Sequence, residues 1–107
     1  MEYIASKQII YLGPGQTWGN VYSLLKDLPV TALGARLPFV GVGGFTIGGG
    51  MSYLMNHHGL ASDSIIDAQV VLADGSIKWA KDDADLMWAI RGAGYTVGGM
   101  AYYCFYL

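Results

Sequence analysis

Cysteine, charge and long apolar runs are what this sequence has least of. Its single cysteine, Cys104, excludes an internal disulfide and any cysteine zinc cluster. Charged residues make up 13% of the chain, against about 25% in an ordinary soluble domain. The formal net charge is −2 and the lysines are scattered, so there is no basic stripe and no nucleic-acid partner is expected. No stretch of 18 apolar residues exists, and M-E-Y-I-A-S-K has no charged segment followed by an apolar core. Neither a membrane span nor a secretion leader is therefore read, and the compartment stays open. The adjacent His57 and His58 would diverge on a helix and take opposite faces of a strand. With no H-x-x-x-H spacing and no thiolate beside them, they predict no metal site. Asp82, Asp83 and Asp85 lack the spacing and terminal glutamate of a calcium loop.

What the chain has in excess is glycine, 16 of 107 residues, roughly twice the usual ~7%. Six of them fall in the eleven residues V-G-V-G-G-F-T-I-G-G-G from Val40 to Gly50. A flexible linker would be polar; here Val40, Val42, Phe45 and Ile47 are apolar, which predicts a packed loop. Such a run fits where backbone must come very close to a ligand, or where N–H groups cradle an anion. Two familiar phosphate motifs fail. A G-x-G-x-x-G fingerprint from Gly41 meets Thr46, one from Gly43 meets Phe45, and Gly50 stands where a P-loop needs lysine.

Around the run, Lys7 to Leu12 reads as a strand closed by the G-P-G turn, and Trp18, Val21, Tyr22, Leu24 and Leu25 recur at the spacing of a helix with Thr17 at its N-cap, ending near Asp27 before Pro29. Val30 to Leu33 reads as a second strand, and Met51 to Asn56 as a short helix ended by Gly59. Arg36, just before the run, suits anions by its planar fork, although a solvated surface arginine is the commoner outcome. Ser64 to Ala73 is rich in β-branched residues and is followed by Asp74-Gly75 and a return strand, Ser76 to Ala80. A helix from Asp85 to Arg91 ends at Gly92, with Trp88 and Ile90 expected to pack and Arg91 to be exposed or paired. Met100 to Leu107 is an apolar, aromatic tail without clear alternation.

Three blocks in order, G-V-G-G-F-T-I-G-G-G-M-S-Y-L, H-G-L-A-S-D-S-I-I-D-A-Q-V-V-L-A-D-G and D-L-M-W-A-I-R-G-A-G, carry a resemblance. The chain resembles the flavin-binding domain of FAD-linked oxidases of the p-cresol methylhydroxylase and vanillyl-alcohol oxidase superfamily. It looks most like the berberine-bridge branch and its fungal oxidases. The resemblance covers about residues 8–94; residues 95–107 are a divergent tail. It implies an α+β fold, a small mostly antiparallel sheet flanked by helices, forming the second half of such a domain within residues 1–107. It implies FAD as cofactor, with backbone at Gly41, Val42, Gly43, Gly44, Thr46, Gly48, Gly49 and Gly50 along the pyrophosphate and ribityl chain. Tyr53, Gly59, Leu60 and Asp63 would line the flavin side, with Asp63 equally able to cap the turn into the long strand.

The resemblance also has gaps. The earlier subdomain, whose histidine carries the covalent flavin bond in the family, is not in this chain. Leu37 stands where bicovalent members place a second flavin-linking cysteine. The strand expected after W-A-I-R-G-x-G is replaced by Y-T-V-G-G-M-A-Y-Y-C-F-Y-L, and the family's catalytic side chains belong to a substrate domain. The implied reading is the FAD-binding portion of an oxidase of small alcohol, sugar or alkaloid-like substrates, an incomplete piece of it, meeting substrate only in a full-length context. No catalytic residue is expected here. The alternative is a non-catalytic or degenerate flavin- or nucleotide-binding module. A plain structural glycine-rich domain would make three ordered blocks a coincidence.

Overall fold

The computed structural model describes residues 1–107, apart from the side chain of Tyr106. Five strands, β1 (Glu2–Ile4), β2 (Ile9–Leu12), β3 (Ile65–Val71), β4 (Ile77–Trp79) and β5 (Gly99–Tyr106), form one sheet in the order β1-β2-β5-β3-β4. Every pairing is antiparallel. Four short helices accompany it: α1 (Trp18–Leu25), α2 (Val42–Ile47), α3 (Met55–His58) and α4 (Ala84–Ile90). The α+β architecture expected from the resemblance is the one observed.

The β3–β4 hairpin forms where Asp74-Gly75 places it. Gly75 takes φ 83°, and the Leu72 N–H donates to the Ser76 carbonyl at 2.8 Å. α4 begins at Asp83, whose carboxylate accepts the Leu86 N–H at 3.1 Å and so satisfies a first-turn donor. Alternate positions of the central strands, Ile10, Leu12, Ala68, Val70, Tyr103 and Phe105, face the helices and are buried. Trp18, Val21 and Leu25 on α1 meet them; Trp18 lies edge-on to Phe45 at 5.6 Å and tilted to Phe105 at 6.4 Å.

Several expectations are corrected. Met100 to Leu107, read from the sequence as an apolar, aromatic tail with no element assigned, is mostly strand β5, hydrogen-bonded on both sides by β2 and β3. Tyr103, Cys104 and Phe105 are all buried, while Tyr102 on the same face as Cys104 is exposed, so burial on both faces is confined to the end of the strand and simple alternation is lost there. Val30 to Leu33 is not a strand: Ala32 and Leu33 are buried in irregular chain, and Gly34 lies so close to the Trp18 ring that no Cβ would fit. The glycine run itself is helical over Val42–Ile47, while the expected helix at Met51 starts only at Met55. Trp88 does not pack and is 80% exposed, whereas Ile90 on the inner face of α4 is buried. Arg91 is paired through its guanidinium to the Ile65 carbonyl at 2.6 Å.

Candidate functional site

Glycine is a poor helix former, so α2 owes its shape to what holds it. The Val42 N–H donates to the Gln16 carbonyl at 2.9 Å, and Thr17 bridges to Gly41. Val42, Thr46 and Ile47 face the core, and the buried Thr46 hydroxyl donates back to the Val42 carbonyl at 2.8 Å. The opposite face of this short helix is Gly41, Gly44 and Gly48, all exposed. That face has no side chain at all, only backbone.

The glycines of the run fall into two kinds. Gly49 and Gly50 take φ 104° and 75°, the left-handed region where other residues are strained. A Cβ on Gly50 would stand 2.6 Å from the Phe45 ring and 2.8 Å from Ala61. Gly43 sits over the Tyr103 hydroxyl, 3.1 Å from where its Cβ would be. These three are glycine for the fold's own sake. Gly41 and Gly44 are different: neither has a positive φ, and a Cβ on either would meet nothing within 4 Å. The protein's own packing does not require glycine at those two places. A surface kept flat with no neighbour in the chain suits a group that lies against it from outside.

The turn after α2 is clasped from behind. The Ala61 N–H donates to the Gly50 carbonyl at 2.9 Å and the Ser62 N–H to the Gly49 carbonyl at 2.8 Å. Asp63 fixes that clasp, its carboxylate accepting the Leu60 N–H at 2.8 Å over Gly59, itself at φ 79°. Of the two roles considered for Asp63, the cap is the one this geometry displays. Val42 and Thr46 turn their side chains inward and offer the face only backbone. Tyr53 and Leu60 are exposed, with Tyr53 at 81%.

Beside the flat face stands a rim that includes Arg36, Leu37 and Tyr53, each marked in the sequence. The Tyr22 hydroxyl donates to the Ala35 carbonyl at 2.8 Å and holds the chain entering the run. Next to it the Arg36 guanidinium lies over the Tyr53 ring, 5.7 Å from its centre. Leu37, Phe39 and Met51 are exposed along the same segment. Beneath the wall, Tyr103 stacks on Phe105 at 5.7 Å, and burial pushes its phenol up to about 12. The Trp18 indole N–H is buried without a partner. Neither Trp18 as a floor for Phe45 nor Tyr103 under Gly43 was singled out as part of this region; the contact partners that assign those roles lie far away in sequence. Among the described residues no group of three or more His, Cys, Asp or Glu is placed to hold a metal.

A family model described as FAD binding domain matches residues 1–81. Among curated proteins the chain is similar to an FAD-dependent monooxygenase of Fusarium proliferatum, 42% identical over 96 residues that cover 88% of this chain and 19% of that protein. Among solved structures it is similar to the xylooligosaccharide oxidase of Myceliophthora thermophila, with 35% identity and a TM-score of 0.91 over 98% of this chain and 23% of that one. A second is 6-hydroxy-D-nicotine oxidase from Arthrobacter nicotinovorans, with 27% identity and a TM-score of 0.93 over 98% of this chain and 24% of that one. The chain spans about a fifth of the length of the curated relatives it matches.

Proposed function

This chain belongs to the FAD binding domain family of flavin-dependent oxidoreductases, and from that premise we propose that the glycine face of α2 is the wall against which FAD lies. The observation that carries the proposal is the pair Gly41 and Gly44, whose missing side chains leave space that nothing in the chain fills. An elongated cofactor needs such a wall, because backbone can approach it about a side chain's depth more closely than any other surface. The turn at Gly48, Gly49 and Gly50 extends the wall, and the clasp from Leu60 to Asp63 keeps it from moving. Tyr53 and Leu60 stand exposed beside it as candidates for the flavin's edge.

When bound, FAD supplies the electron-accepting chemistry of such enzymes. This chain's share is to bind and orient. Its buried helix face sets the position of the wall, and its outward face presents no side chain that would hold the cofactor off. The substrate, in this reading a small alcohol, sugar or alkaloid-like molecule, is met in the context of the longer protein. Leu37 carries no thiol, so a cysteinyl bond to flavin does not form at that position.

The test is a titration of the 107-residue chain with FAD, followed by flavin absorbance and fluorescence quenching, on wild type and two glycine variants. Gly44→Ala adds a methyl to open space in a helix, so it is expected to raise stability by about 0.5–1 kcal/mol and yet to weaken FAD binding. Opposite signs in the two measurements are the signature of a surface kept bare for a ligand. Gly50→Ala is the control, expected to lose stability because its Cβ meets Phe45 and Ala61. Equal FAD affinity in wild type and Gly44→Ala overturns the placement.

A further inference from the structure

We propose that Arg36, lying over Tyr53, is a recognition site for an oxyanion carried by a planar aromatic ligand at the lip of the glycine wall. The inference rests on the reading of that wall as a ligand surface and adds the chemistry recognised at its edge.

Arg36 differs from most of the other cations of the chain. Lys26, Lys78 and Lys81 each have a carboxylate within ion-pair distance, and Arg91 is spent on the Ile65 carbonyl. Among the described residues no carboxylate lies within ion-pair reach of Arg36. Its guanidinium lies over the Tyr53 ring, 5.7 Å from the centre, a cation–π distance. A guanidinium in such a contact keeps its planar fork of donors available for two parallel bonds to a carboxylate or phosphate. The main chain beneath it is fixed by the Tyr22 bond to Ala35.

The surroundings supply the second half of the chemistry. Arg36 lines two shallow cavities. The first, about 220 Å³, is walled by Leu37, Val40, Phe45 and Met51; the second, about 180 Å³, by Tyr22, Ser52, Tyr53 and Leu54. Phe39 at 74% and Met51 at 62% exposure leave a broad apolar surface next to the charge. An unpaired cation beside apolar cavities suits a flat, apolar molecule with one anionic oxygen group. Two sources share that chemistry: the phosphates of FAD with its ring system, and an acidic group on an aromatic substrate.

The experiment uses the 107-residue chain and its Arg36→Met and Arg36→Lys variants, titrated with benzoate, benzamide, FAD and riboflavin. Binding is followed by the NMR signals of the Arg36 side chain and the Tyr53 ring. The side chain is exposed, so both variants are expected to melt as wild type does. The expected result is that wild type prefers benzoate to its neutral isostere by about tenfold, that Arg36→Met loses the preference and that Arg36→Lys keeps part of it. If Arg36→Met also weakens FAD but not riboflavin, the oxyanion is the cofactor's phosphate. If it leaves both flavins unchanged, the oxyanion is an acid group of the substrate. If benzoate discrimination persists in a chain that binds no FAD, the wall reading fails and this site stands. If all three proteins bind the four probes alike, the site does not exist.

Discussion

At the scale of single residues, the telling comparison is between glycines that the same letter hides. Gly43 is glycine because the Tyr103 hydroxyl lies beneath it, and Gly50 because of its φ and its neighbours; Gly41 and Gly44 have no such reason inside the chain. Tyr103 makes its own prediction. Burial raises its phenol to about 12, while an unfolded tyrosine ionises near 10.0. Between those values only the unfolded chain gives up the proton, so the stability held by the neutral phenol is complete below pH 10 and is lost as the pH rises through 12. Melting temperatures measured from pH 9 to 12 are expected to fall, and Tyr103→Phe is expected to make that fall shallower. That the glycine run is a packed segment and not a flexible linker was legible from its apolar residues Val42 and Ile47, which are buried. Which of its glycines the fold itself requires was not legible, because that depends on Cβ surroundings supplied by residues such as Tyr103 and Ala61.

Elements were legible in proportion to how local their causes are. The β3–β4 hairpin follows from Asp74-Gly75 between β-branched runs, and α1 from the spacing of Trp18, Val21 and Leu25. Helix α2 was missed because its residues are poor helix formers and its support comes from Gln16, Thr17 and the core. Helix α4 depends on one local group. The Leu86 N–H, and after it Lys78, hold the Asp83 carboxyl below its ordinary value of 3.8. A depressed carboxyl contributes stability that is present above its unfolded value and lost as the pH falls through its folded one. Acid titration below pH 4 is expected to loosen α4 in the wild type. Asp83→Ala is expected to be less stable at neutral pH and to lack that additional acid step, as read by circular dichroism.

At the scale of the whole molecule, the surplus is apolar surface. Trp88 is 80% exposed, Tyr95 91% and Phe39 74%, in a chain with few charges to keep copies apart. Self-association at tens of micromolar is expected by sedimentation velocity, and Trp88→Ser is expected to shift the population toward monomer; a wild type that stays monomeric throughout would contradict this. The sheet order has a different consequence, one of timing. Strands β1 and β2 pair with each other, and β3 and β4 pair with each other, but only β5, which follows both pairs in the sequence, joins them. During synthesis, therefore, the partners for joining β1 and β2 to β3 and β4 are incomplete, with the glycine segment strung between the two pairs, until β5 follows. The two halves of the sheet are not joined until β5 has been synthesised, and the segment at Gly43 has no Tyr103 to rest on before then.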